Sequence, residues 1–204
     1  MIIIIDYGMG NFGSILNMLK RIGVNAEISD DPHKIMTADK LILPGIGAFD
    51  HGMENLHRRG LIEVLNKHVL EHKCPILGIC LGMQLFSNKS EEGQMEGLHW
   101  IPAMTKKFIF NDLDRKLKIP HMGWNIVIPK HKNTLFAEFD LPPRFYFVHS
   151  YHVCCENKED ILGLSIHGYE FVAAVQRDNI MGTQFHPEKS HRYGLQLLKS
   201  YAEL

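Results

Sequence analysis

Three short stretches of this 204-residue chain place together residue types that could do covalent chemistry. In GICLGMQ, Gly78 to Gln84, a cysteine stands between glycines just after the apolar run CPIL, Cys74 to Leu77. Cysteine is among the most buried residue types and usually packs as a small hydrophobe, so Cys80 needs more than its type to be read as a nucleophile. Its setting supplies that. The apolar run reads as a strand ending at Cys80, and Met83, Gln84, Leu85 and Phe86 can begin a helix. The thiol would then sit on a sharp strand-to-helix elbow, with glycine where neighbours must stay small. A helix N-terminus favours negative charge, and the amide of Leu81 is free to bind an oxyanion.

In GTQFHPEKS, Gly182 to Ser190, His186 follows a predicted strand, and Pro187 blocks helix continuation. Glu188, two residues on, can lie on the same side of an extended chain as His186. A carboxylate so placed can hold the imidazole in the tautomer that accepts a thiol proton. In LILPGIGAF, Leu41 to Phe49, the residues Pro44, Gly45 and Gly47 bend the chain at the carboxyl edge of a parallel sheet, where sites in such folds usually lie. Glycines there let a backbone amide point outward as an oxyanion donor. Cysteine, histidine and acid in that chain order, each at a predicted strand end, favour a triad. A rival reading comes from GMGNFG, Gly8 to Gly13, a literal G-x-G-x-x-G opening a helix, with Glu27 on the next strand. It would make the chain a dinucleotide-binding oxidoreductase. The chain has little room for the second half-fold and substrate domain that such an enzyme needs.

Among the elements that must hold these residues, those of the first half alternate short apolar runs with helical stripes. IIII at 2–5, VNAEIS, KLIL at 40–43 and PILGI read as strands. Phe12, Ile15, Leu16, Leu19 and Ile22 share one helical face before Gly23, and Leu61, Ile62, Leu65 and Val69 share another. Strand alternating with helix predicts parallel pairing with helices on both faces. In the second half TKKFIF, WNIVIP, RFYFVHSYHV, ILGLSI, FVAAVQ and NIMGTQF read as strands, predicted as an antiparallel or mixed extension of the same sheet. The helix GLQLLKSYAEL closes the chain. The fold class expected is α/β, a three-layer sandwich whose central, mostly parallel sheet carries an antiparallel extension. No repeat or linker divides residues 1–204, so one domain is expected.

A formal charge of -1 excludes a field strong enough to hold nucleic acid or an anionic membrane. The apolar start Met1 to Ile5 meets Asp6 at once, too short for a signal-peptide core or a membrane span. The four cysteines, Cys74, Cys80, Cys154 and Cys155, have no C-x-x-C spacing and read as reduced thiols of a cytoplasmic protein. Thirteen histidines invite a metal reading, yet the closest approach to ligand spacing, His149 and His152, would point to opposite faces of a strand. No metal or cofactor is expected. HMGWN at 121–125 and YFVHSY at 146–151 yield no mechanism from their residues, and ring packing is the plain expectation for them.

Taken together, PGIGAF, GICLGMQ and QFHPEKS resemble the three site segments of a class I glutamine amidotransferase domain. With DYGMGN at the start and IPHMGWN in the middle, they resemble most the glutaminase subunits that serve histidine biosynthesis. The resemblance implies that Cys80 attacks the side-chain amide of L-glutamine, His186 carries the proton to the leaving ammonia, and Glu188 orients His186. It implies an oxyanion hole made by the amides of Ile46 and Leu81, with the Gly45-Ile46-Gly47 turn switching into place when a partner engages. Gly45, Gly47, Gln84, Glu92, Ser150 and Tyr151 match positions that bind glutamine, which gives YFVHSY a reason. Ammonia would pass to a (βα)8-barrel cyclase subunit, met by Asn11, Pro120, Met122, Trp124 and Lys189. GMGNFG would then be a turn at the docking face. Two departures stand out: GLHWIPAMTKKFIF is less glycine-rich than the family, and His191 and Arg192 follow QFHPEKS. Similar small subunits feed paralogous synthases that aminate bacterial surface sugars, an alternative with the same chemistry.

Overall fold

In the computed structural model, which describes residues 1–110, 117–131 and 135–204, the first half follows the expected alternation. In chain order it forms β1 (Ile2–Ile5), α1 (Phe12–Arg21), β2 (Ala26–Ser29), α2 (Pro32–Met36), β3 (Lys40–Gly45), α3 (Phe49–Arg58) and α4 (Leu61–Leu65). A π-helical turn over Asn66–Glu71 leads into β4 (Ile76–Cys80) and α5 (Leu81–Gln84). The second half contributes β5 (Lys89–Ser90), β6 (Ala103–Lys107), β7 (His121–Ile126), β8 (Ile128–Pro129), β9 (Arg144–His149) and β10 (Tyr151–Cys155). It ends with β11 (Ile161–His167), β12 (Tyr169–Arg177), β13 (Ile180–Thr183) and α6 (His191–Glu203).

Among the described residues the main sheet has eight strands in the order β2-β1-β3-β4-β13-β12-β11-β8. Pairing is parallel from β2 to β13 and antiparallel from β13 to β8. The period of two along β1 separates two cores. Ile3 and Ile5 join Phe49, Met53, Leu56, Leu61 and Leu65 on one face, while Ile2 and Ile4 join Ile15, Leu19, Leu197, Leu198 and Tyr201 on the other. Continuous apolar runs were needed because both faces are covered. α1 buries Ile15 and Leu19, tucks Phe12, Leu16 and Ile22 against them, and stops at Gly23 with φ +77°. These helices and the sheet make the three layers that the sequence predicts.

The extension differs in one respect. ILGLSI and FVAAVQ extend the main sheet as β11 and β12, and NIMGTQF enters it beside β4. TKKFIF and RFYFVHSYHV do not. β6 pairs with β10 and β5 in a small side sheet, and β9 pairs with β7 in another. The reason is a break at Ser150, which lies between β9 and β10 and sends the two halves of RFYFVHSYHV to different partners. For the same reason His149 and His152 do not obey the alternation of one strand: both rings lie against Phe108, at 5.3 and 4.7 Å between centroids. Among the described residues no helix is long and apolar enough to cross a membrane.

Candidate active site

β3, β4 and β13 are neighbours, and their carboxyl ends reach the same edge of the sheet, with Gly45 in register with Cys80 and Ile79 with Thr183. Cys80 ends β4 with φ 55° and ψ −108°, a left-handed conformation that costs a non-glycine residue about 1–3 kcal/mol. The flanking glycines are required by contact. A Cβ on Gly82 would stand 1.8 Å from the Leu43 carbonyl oxygen, and one on Gly78 would stand 2.6 Å from the Phe86 ring and 2.7 Å from the Met83 amide nitrogen. α5 begins at Leu81, immediately after the cysteine rather than at Met83, so the Leu81 amide has no carbonyl four residues back within the helix.

His186 and Glu188 arrive on the adjoining strand end. The backbone of His186 bridges to Tyr146, and Pro187–Lys189 form a single 3-10 turn that brings Glu188 back beneath the ring. His186 Nδ1 lies 2.7 Å from Glu188 Oε1, and both side chains are 1% exposed. A carboxylate can only accept, so Nδ1 carries a proton, and Nε2 is the nitrogen left to take up or give away the second one. Nε2 is buried without a hydrogen-bond partner. Burial opposes the imidazolium, but the Cys80 sulfur and then the Glu188 carboxylate outweigh it, and His186 is pushed up to about 10. A histidine held in this way is the base that a thiol nucleophile needs beside it.

A cavity of about 320 Å³ opens above the thiol, at the small end of the range for ligand pockets. Ile46, Gly47, Cys80 and Leu81 form one wall, Gln84 and Glu92 another, and Pro120, Val148, His149, Ser150 and Tyr151 the rest. Of the expected glutamine-binding residues, Gly47, Gln84, Glu92, Ser150 and Tyr151 therefore meet in one space. Gly45 does not line it. Gly45 is buried beneath, where a Cβ would stand 2.5 Å from the Tyr7 hydroxyl and 2.7 Å from Leu81 Cβ. Glu92 Oε2 accepts from the Phe49 amide at 2.9 Å, which fixes the carboxylate at the start of α3.

Of the expected docking residues, Pro120 lines the cavity and the others lie outside its wall. On β7 the side chains of Met122 and Trp124 are exposed, and Trp124 stacks flat on His191, 5.7 Å between centroids. Lys189 stands over the ring of Tyr146, which also meets Trp124. Pro120 is exposed and reaches the cavity wall. Asn11 stands at the N-cap position of α1 without a capping side-chain hydrogen bond, and α1 packs against the Pro187–Lys189 turn. Around GMGNFG, Pro44 and Phe12 lie beside Gly10, Arg59 lies beside Gly8, and Glu27 is paired with Lys34. Met9 meets Gly47. Among the described residues no group of three or more His, Cys, Asp or Glu could hold a metal.

Some residues of the site escape the sequence reading. Gln184, fully buried within GTQFHPEKS, points Nε2 at Cys80 Sγ at 3.6 Å and accepts from Gln84 Nε2 at 3.0 Å. Its signal was a polar residue in an apolar strand. Asp50 caps the loop that carries Glu92, accepting from the Gln94 and Met95 amides at 2.9–3.1 Å, and nothing in the chain order links the two. His149 lines the cavity wall, where its place in YFVHSY predicts only ring packing.

Fold and site together define an α/β protein with a cysteine elbow and a histidine–carboxylate pair at the carboxyl edge of its sheet, the geometry that thiol-dependent acyl transfer needs. The family model described as glutamine amidotransferase class-I matches residues 3–200, and the chain belongs to that family. It is 55% identical to "Imidazole glycerol phosphate synthase subunit HisH 2" of Methanococcus maripaludis, over 98% of each chain. It is 49% identical to the protein of the same name from Pseudomonas aeruginosa, over the whole of both. Among solved structures, a putative GMP synthase protein from Thermoplasma acidophilum superposes with a TM-score of 0.73 at 22% identity, covering 99% of this chain and 92% of that one. That likeness shows the fold. The chain is a glutamine amidotransferase, as the order of its motifs implied.

Proposed function

We propose that residues 1–204 form one amidotransferase domain, the cytoplasmic glutaminase subunit of an imidazole glycerol phosphate synthase of histidine biosynthesis. Cys80 attacks the side-chain carbonyl carbon of L-glutamine. A C–S bond forms, and the carbonyl oxygen takes up negative charge facing the amides of Leu81 and Ile46. As the oxyanion collapses the C–N bond breaks, and the imidazolium of His186 gives its proton to the departing ammonia. Water, deprotonated by His186, then cleaves the thioester to glutamate and restores the thiol. Glu188 keeps the imidazole in the required tautomer through both steps. Glu92, held at the start of α3, faces the ammonium group of the substrate, and Gln84, Ser150 and Tyr151 enclose its amino-acid end.

Ammonia in water would be protonated and lost as a nucleophile, so a partner must receive it directly. The exposed patch of Met122, Trp124 and Lys189, with Asn11 and Pro120, meets a (βα)8-barrel cyclase subunit. There ammonia enters the product imidazole glycerol phosphate, with an aminoimidazole ribonucleotide released. The observation that carries this reading is the buried His186–Glu188 pair ending on a free Nε2 beside the Cys80 elbow. Glutamate release by the complex is expected to fall at least about 10³-fold in Cys80→Ala. Turnover at the wild-type rate would end the proposal.

A second reading keeps the chemistry and changes the acceptor, with a paralogous synthase that aminates bacterial surface sugars. Two observations favour keeping it: both relatives are numbered as a second such subunit, and His191, a departure from the family pattern, stacks on Trp124 at the docking patch. Identifying the protein that co-purifies with this chain, and the acceptor it aminates, separates the two.

A further inference from the structure

Two buried histidines that the mechanism does not use join the docking strand to the cavity. In the β7–β9 ribbon His121 is paired with His149, and the two residues are 5% and 6% exposed. His121 Nδ1 and His149 Nε2 are 3.0 Å apart, His149 Nδ1 is 2.8 Å from the Tyr151 carbonyl oxygen, and His121 Nε2 is 3.2 Å from Asn125 Nδ2.

The ends fix every proton between them. Asn125 Oδ1 accepts from the Ile126 amide and Nδ2 donates to the Ile166 carbonyl, so the amide orientation is set and its second N–H is directed to His121 Nε2. His121 must then carry its proton on Nδ1 and donate it to His149 Nε2. His149 in turn donates from Nδ1 to the Tyr151 carbonyl, which can only accept. Both rings are neutral in this arrangement. Their surroundings agree: Phe108 and Phe171 lie against both, His167 stacks on His121 at 4.3 Å, and His152 adjoins the same cluster. Burial, and then the neighbouring His167, pushes His121 down to about 4, and burial holds His149 well below the usual range.

The Tyr151 carbonyl also receives Gln84 Nε2 at 3.1 Å, and Gln84 leads through Gln184 to Cys80 Sγ. We infer that His121 and His149 are positioning residues: a one-way relay of neutral imidazoles that holds the Ser150–Tyr151 corner and Gln84 in place for glutamine, anchored on the strand that presents Met122 and Trp124. The inference rests on the glutaminase reading.

The test is steady-state glutaminase kinetics of the complex with its synthase partner, using His149→Leu, His149→Asn, His121→Leu and His121→Asn. Asparagine retains a donor near the Nδ1 position and leucine retains none. Each leucine variant is expected to raise the glutamine KM about tenfold with kcat changed less than about threefold, and each asparagine variant to recover most of that loss. Unchanged KM in the leucine variants, or no recovery with asparagine, overturns the inference. Should the leucine variants fail to fold, nitrogen-15 NMR of the wild-type imidazoles decides it. Both rings are expected as neutral Nδ1–H tautomers at about pH 7 and still neutral at about pH 5.5, and an Nε2–H tautomer or a charged ring contradicts it. Turnover that survives Cys80→Ala sinks the glutaminase reading itself; Cys80-dependent turnover with kinetically silent leucine variants sinks only this inference.

Discussion

Replacing Glu188 with glutamine isolates the orienting carboxylate. The substitution keeps the volume and the Oε1 acceptor that His186 Nδ1 meets at 2.7 Å, but it removes the charge from a pair whose side chains are both 1% exposed. Removing one partner of a buried ion pair costs about 3–5 kcal/mol, because the remaining charge has nothing to compensate it. Here the remaining charge is the imidazolium that must protonate the leaving ammonia. If the cost falls on that species, at about 1.36 kcal/mol per decade the rate drops about 10²- to 10⁴-fold. Glu188 does not line the cavity, so the loss belongs to kcat, and KM for glutamine should stay within about threefold. The assay is glutamate release by the complex at saturating and sub-KM glutamine. A kcat within about fivefold of wild type, or a loss expressed mainly in KM, would refute the reasoning.

Two further outcomes follow from the same contacts. Gly82→Ala forces a methyl group 1.8 Å from the Leu43 carbonyl oxygen, in backbone that is part of the β3–β4 ladder. It should destabilise by at least about 3 kcal/mol, while Gly13→Ala, on α1 with nothing within 4 Å, should stabilise by about 0.5–1 kcal/mol; urea denaturation of the two variants is expected to move in opposite directions. Stability should also peak near neutral pH. His121 and His149 are lowered in the folded chain, so the unfolded chain binds more protons and stability falls as pH drops from about 6.5 toward about 4. His186 is raised, so its contribution is complete below about 6.5 and is lost as pH climbs toward about 10. Denaturant titrations across that range would show a flat profile if neither holds.

The parts of the molecule legible in the sequence are those written locally. Ile2–Ile5, KLIL and PILGI declare buried parallel strands because no position along them needs to face water, and α1 declares its apolar face at a spacing of three and four. The elbow was legible because small residues flank Cys80 for steric reasons that the Gly78 and Gly82 contacts bear out. Partnership between strands was not legible. Alternation identifies β6, β9 and β10 as strands but carries no information on which edge each will meet, and a single non-strand residue, Ser150, redirects the chain. Gln184, Asp50 and His149 gain their meaning from atoms 28 to 104 residues away in sequence, and residue type alone could not assign it. At Gly45 the sequence shows a turn glycine, and the structure adds that a Cβ there would meet Tyr7 and Leu81 beneath the cavity.

Of the four thiols, Cys80 is the proposed nucleophile toward glutamine. Burial pushes Cys74 and Cys155 up to about 12 and raises Cys154, so those three should stay protonated and slow at about pH 7.5. The direct measurement is treatment of the partnered protein with a glutamine-mimicking electrophile, followed by peptide mass spectrometry. The expected result is one adduct per chain, on Cys80, suppressed by excess glutamine. An adduct on another cysteine, or labelling of Cys80 that glutamine does not slow, would contradict the account.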